Sequence, residues 1–135
     1  MVQEMKIYVD AAARGNPGKS GIGVVVCDHS EVVVAKLSEY IGQATNNVAE
    51  YTALIYALLE ALILGAKRVS VFSDSELVVK QISGEYAVKN EELKRLRKQI
   101  EHLRKGFKEL NITFIRREEN KPADKLANQA IDDAS

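Results

Sequence analysis

The sequence predicts an α/β fold: a mixed five-stranded sheet with helices on both faces, in the order β-β-β-α-β-α-α-β-α. Three observations lead there. Through the first third of the chain, apolar residues either alternate with polar ones or form short β-branched runs, the signature of strands. At Asn47 the spacing becomes helical and stays so to Leu64. Directly after that helix, Val69 to Asp74 reads as another strand, which calls for parallel pairing with the first through a right-handed crossover.

Taken in order, Met5, Ile7 and Val9 alternate with Lys6, Tyr8 and Asp10, so the first strand buries one face and is expected to end on a carboxylate. Gly15-Asn16-Pro17-Gly18 follows as tight-turn chemistry. Gly21 to Cys27 and Val32 to Leu37 are β-branched runs separated by the short polar stretch Asp28-His29-Ser30-Glu31, which makes the first three strands a meander. In the long helix, Val48, Tyr51, Leu54, Ile55, Leu58, Leu59, Leu62 and Ile63 share helical spacing. Ala49, Ala53, Ala57 and Ala61 make a second, small face, so burial on more than one side is expected. Thr45, Asn46 and Asn47 supply N-cap chemistry, Glu50 stands three residues after Asn47, and Gly65 closes the helix. Ser75 to Ile82 reads as a short helix stopped by Ser83-Gly84. Glu91 to Phe107 is amphipathic, with Leu93, Leu96, Ile100, Leu103 and Phe107 inward and Lys94, Arg95, Arg97, Lys98, Arg104 and Lys105 outward. Ile112 to Arg116 is the fifth strand, and Pro122 opens a last helix through Leu126, Ala127, Ala130 and Ile131.

Length and composition bound the function. At 135 residues, 46% hydrophobic and 28% charged, the chain is expected to form a single domain over residues 1–135. Its 19 basic and 19 acidic side chains cancel, so no global field draws in a polyanion and any nucleic-acid binding must come from local patches. Cys27 has no partner for an internal disulfide and reads as a small buried hydrophobe. The N-terminus lacks a charged-then-apolar signal pattern, and no apolar run is long enough to cross a bilayer. The expectation is a cytoplasmic protein with no membrane association and no evident obligatory protein partner.

Four carboxylates carry the chemistry: Asp10 at the end of the first strand, Glu50 in the opening of the long helix, Asp74 at the end of the fourth strand and Asp124 in the first turn of the last helix. Each also fits a structural role. Asp10 suits a hairpin edge, Glu50 a capping box, Asp74 a cap for the next helix and Asp124 the helix dipole. Jointly, the topology sets the ends of the first and fourth strands side by side, with helix N-termini aimed at the same edge, where open α/β sheets bind ligands. Clustered carboxylates raise one another's pKa unless a cation neutralises them. An all-oxygen set suits Mg²⁺ or Mn²⁺ rather than zinc, and two such ions can clamp the attacking and leaving oxygens of a phosphoryl displacement. His29 in a turn and His102 on a helix read as surface residues, and no Ser–His or Cys–His pair competes.

With these residues in view, the sequence resembles type 1 ribonuclease H over nearly its whole length. The motifs are Asp10 to Gly18, Thr45 to Glu50, Ser73 to Val78 and Glu119 to Asp124. The resemblance implies an RNase H-like fold and a metal-dependent endonuclease that cuts the RNA strand of RNA·DNA hybrids, leaving 5′-phosphate and 3′-hydroxyl ends. It implies two Mg²⁺ ions per site, with Mn²⁺ as a substitute, held by Asp10, Glu50, Asp74 and Asp124. It also implies that Asn16, Asn46 and Asn47 contact the hybrid in its minor groove and that Thr45 forms part of a pocket for a DNA-strand phosphate. Four departures from the family pattern stand out. Ala11 replaces a glycine, and Glu76 replaces an amide that contacts nucleic acid. The loop Arg116 to Lys121 lacks a histidine, where Arg117 is left to contact phosphate, which predicts slower turnover. No basic handle lies between Ile82 and Glu91, leaving the outward cations of the following helix as the candidate patch. The competing readings are a weakly active or inactive nucleic-acid-binding domain on the same scaffold and a nuclease preferring another duplex, such as double-stranded RNA.

Overall fold

The computed structural model describes residues 3–134. Five strands, β1 (Glu4–Gly15), β2 (Gly18–Asp28), β3 (Val33–Ala44), β4 (Arg68–Ser73) and β5 (Glu109–Phe114), form one sheet in the order β3-β2-β1-β4-β5. β1, β2 and β3 are antiparallel neighbours, while β4 lies parallel to both β1 and β5. The helices are α1 (Asn46–Ile63), α2 (Glu76–Ser83), α3 (Glu91–Arg104) and α4 (Lys121–Ala134), with a 3₁₀ turn at Arg117–Glu119. The expected element order and mixed sheet are thus present. Among the described residues no helix is long and apolar enough to cross a membrane.

Strand alternation sends side chains to two faces. Ile7, Val9, Ile22, Val24, Val26 and Val71 point to one face and pack with Tyr51, Leu54 and Leu58 of α1 and Leu93 and Ile100 of α3. Val25 and Cys27 point to the other, against Ala123 and Leu126 of α4. On that second face the helix backbone sits directly on the sheet. A Cβ at Gly23 would collide with the Ala123 carbonyl and stand 2.7 Å from the Ala127 nitrogen, and one at Gly21 would stand 2.5 Å from the Ala127 carbonyl. Ala123 and Ala127 are themselves fully buried, so small residues on both partners set this close approach.

Several boundaries differ from the sequence expectation. β1 does not end at Asp10 but continues to Gly15, because β2 extends with it in an unbroken antiparallel register from Met5↔Asp28 to Gly15↔Gly18. What stops near Asp10 is the parallel pairing with β4, whose last rung is Val9↔Ser73. β3 runs to Ala44 rather than Leu37, its alternation hidden by the polar residues of an edge strand. α3 ends at Arg104 rather than Phe107, and β5 spans 109–114 rather than 112–116.

Candidate active site

Each carboxylate reaches the site by its own element. Asp10 lies in β1, opposite Gly23 of β2, at the first position beyond the β1–β4 rungs. Asp74 follows the last residue of β4. Glu50 lies in the second turn of α1, whose N-cap is Thr45: the Thr45 hydroxyl accepts from the Val48 N–H at 3.3 Å. The capping-box role for Glu50 is therefore excluded, since that box needs the acid three residues after the cap. A capping role for Asp74 falls likewise, because Ser75 is the N-cap of α2 and its hydroxyl accepts from the Val78 N–H. Asp124 stands in the first turn of α4, as expected.

Asp10, Glu50 and Asp74 each offer a carboxylate oxygen within 4.8 Å of the others. Asp124 stands outside that triad but close enough to Asp10 to act on it. All four line one cleft of about 480 Å³, together with Asn46, Asn47 and Arg117. Asp10 is buried, whereas Glu50 and Asp74 are half-buried. The electrostatics follow from that crowding. Burial, then the charge of Asp74, pushes the Asp10 carboxyl up to about 8, with Asp124 adding to the rise; the Ala11 N–H, which donates to Asp10 Oδ1 at 2.8 Å, opposes it. Glu50 is held well above the ordinary carboxylate range by burial and then by Asp10 and Asp74. A divalent cation would relieve each of these costs, and three converging carboxylates with no imidazole or thiolate form a donor set for a hard ion.

The remaining site candidates sit around this cluster. Asn16, at the β1–β2 tip, accepts through Oδ1 from the Asn46 N–H at 3.0 Å, which ties the hairpin to the start of α1. Arg117 is exposed on the 3₁₀ turn. Ala11 raises no strain, because Glu31 is the only non-glycine residue with positive φ among the described residues. Glu76 is exposed and lies 3.8 Å from Lys80, a weak surface pair.

Two features escaped the sequence reading. Asn120 is fully buried; its Nδ2 donates to the Val9 carbonyl at 2.8 Å and lies 3.4 Å from Asp74 Oδ2, so it links the β1 backbone one residue before Asp10 to the Asp74 carboxylate itself. It stands inside the quoted Glu119–Asp124 motif, so an amide ahead of a helix was visible, but its partners are distant in sequence. The second is the seat of α4 on Gly21 and Gly23, which fixes Asp124 beside Asp10. Two glycines alternating within a strand were the available signal.

Comparison with known proteins places this geometry. Residues 8–130 match the protein family described as reverse transcriptase-like. The bifunctional protein Rv2228c of Mycobacterium tuberculosis is 45% identical over 135 residues, covering 97% of this chain and 37% of that protein. The chain thus spans well under half the length of that relative. The RNase H1 structure from the halophilic archaeon Halobacterium salinarum superposes with a TM-score of 0.94 at 41% identity, covering 96% of this chain and 98% of that one. LC11-RNase H1, solved in complex with an RNA/DNA hybrid, gives a TM-score of 0.92 at 44% identity, with 96% and 98% covered.

Proposed function

The chain belongs to the reverse transcriptase-like family as a type 1 ribonuclease H, and on that premise we propose that it cuts the RNA strand of RNA·DNA hybrids, leaving 5′-phosphate and 3′-hydroxyl ends. Residues 1–135 act as one catalytic domain in this reading. The observation that carries it is the convergence of Asp10, Glu50 and Asp74 within 4.8 Å from three separate elements. Such a cluster is costly to fold and has no use in a purely binding domain.

Asp10, Glu50, Asp74 and Asp124 would hold divalent cations, Mg²⁺ with Mn²⁺ as a substitute, two per site. Bound there, the ions supply charge neutralisation, a nucleophilic water and stabilisation of the departing 3′-oxygen. The protein's own groups place the duplex. Asn16, Asn46 and Asn47 carry amides that both donate and accept, which suits 2′-hydroxyls in a wide minor groove, so strand type rather than sequence is read. The Thr45 hydroxyl accepts from Val48 and keeps its own proton to donate to a DNA-strand phosphate. Arg117, exposed at the cleft, contacts phosphate but cannot shuttle a proton near neutral pH.

The test is cleavage of end-labelled RNA·DNA, RNA·RNA and DNA·DNA duplexes with Mg²⁺ or Mn²⁺, for the wild type, Asp10→Asn and Glu50→Gln. RNA-strand cuts confined to the hybrid and lost in both variants are expected. A wild type that leaves the hybrid intact in both metals overturns the reading.

A further inference from the structure

We propose that the basic groove on the first two turns of α3 grips the phosphates of the uncut strand, a second contact surface for the hybrid away from the catalytic cleft. This rests on the ribonuclease H reading above and extends it to a face that none of the site residues reaches. Lys94, Arg95, Arg97 and Lys98 line the groove. Its two acids are occupied within the helix itself: Glu91 lies 3.2 Å from Lys94, and Glu101 lies 3.4 Å from Arg104. Among the described residues, Arg95, Arg97 and Lys98 form no salt bridge, so the groove keeps a surplus of positive charge in a chain whose formal charge is zero. Glu91, Glu92 and Glu101 stand one turn from these cations in sequence, yet Glu91 turns to Lys94 and Glu101 to Arg104, and four cations line the groove against two acids.

Position makes this charge useful. α1 and α3 run side by side in the same direction, since Arg95 and Lys98 border Ile55 and Leu59 while a Cβ on Gly106 would stand 2.8 Å from Leu62. Arg95 and Lys98 therefore stand beside the middle of α1, on the helix whose first turns carry Asn46, Asn47 and Glu50. Packed helices have axes about 8–10 Å apart and rise about 1.5 Å per residue, so the groove lies one helix width across from α1 and roughly 13 Å along it from Asn46. With α1 presenting its amides to the minor groove and the scissile strand over the acids, the opposite backbone runs toward α3. The need is electrostatic. A polyanion must approach four carboxylates on a protein with no net charge, and phosphate contacts made elsewhere offset that repulsion.

The experiment compares the wild type with the triple variant Arg95→Gln/Arg97→Gln/Lys98→Gln on a hybrid of about two helical turns, with Mg²⁺, measuring kcat and KM across a salt series. The expected result is a KM raised about tenfold to a hundredfold with kcat unchanged, and a salt dependence of log KM shallower by about 2–3. Neutral methylphosphonate linkages in the DNA strand should weaken the wild type and leave the triple variant unaffected. If the triple variant melts below the wild type, the double variant Arg95→Gln/Lys98→Gln, which alters exposed side chains alone, carries the same comparison. Equal KM and equal salt slope overturn the grip, as does a loss confined to kcat. A wild type that leaves the hybrid uncut overturns the functional reading and the grip with it, so the two failures are distinguishable.

Discussion

Stripped of divalent cations, the protein should lose stability as pH rises, and Asp10→Asn should restore it. The folded-state carboxyl of Asp10 is pushed from 3.8 to about 8. The sign follows from linkage. Below pH 3.8 Asp10 is protonated in both states and contributes no difference. Between there and about 8 the unfolded chain releases the proton while the folded protein retains it, so the folded state becomes progressively less favoured; above 8 the loss is complete. At about 1.4 kcal/mol per pH unit, the span from pH 5 to 8 costs up to about 4 kcal/mol from Asp10 alone. Native domains have total stabilities of only about 5–15 kcal/mol. For a chain of this size that is a fall in Tm of roughly 10 °C.

Asparagine keeps the shape and the acceptor for the Ala11 N–H without the charge. The assay is thermal unfolding by circular dichroism in chelator at pH 5, 6, 7 and 8, for wild type and Asp10→Asn, repeated with Mg²⁺ or Mn²⁺. The two curves should lie closest at pH 5 and separate by roughly a further 10 °C by pH 8, with the variant the more stable throughout. Added metal should recover the wild type at pH 8 and do less for the variant. A wild type whose Tm is flat or rising from pH 5 to 8 in chelator, with the variant no more stable at pH 8, refutes the claim that these acids are crowded and unneutralised.

Gly23→Ala should destabilise the fold by about 1–3 kcal/mol in urea unfolding, because the new methyl meets the α4 backbone; lifting α4 carries Asp124 away from Asp10, so hybrid cleavage should fall at least tenfold. Asn120→Ala should cost about 1–3 kcal/mol, since it leaves the Val9 carbonyl unpaired and frees Asp74, and the metal concentration for half-maximal cleavage should rise. Unchanged metal dependence would reduce Asn120 to a structural tie.

Most of the architecture was legible because periodicity reports which face is buried, and that survives in one sequence. Boundaries were less so, since they depend on the partner strand. Nothing local in β1 says that it continues past Asp10; the continuation is set by β2, which offers a hydrogen-bonding partner as far as Gly18. The four acids were found as motif members, yet the structural alternatives for Glu50 and Asp74 could be dismissed only by seeing which hydroxyl caps each helix. Asn120 was unreadable as a bridge because its partners Val9 and Asp74 lie far from it in sequence and meet it only in the folded chain.

That assignment of caps bears on why the acids are there. Thr45, Ser75 and Asn90 each accept from an N–H in the first turn of their helices, so α1, α2 and α3 begin satisfied without help from any of the four carboxylates. Asp10 receives one local N–H and Asp74 a long contact from Asn120, far fewer donors than a buried structural carboxylate needs. Arg14 could have neutralised the cleft from the hairpin, but its guanidinium lies 2.6 Å from Asp132 at the far end of α4. The fold therefore brings negative charge together, and among the described residues no lysine or arginine forms a salt bridge with any of the four acids, although Arg117 lines the cleft. A cluster kept at that cost is consistent with cations arriving from solution.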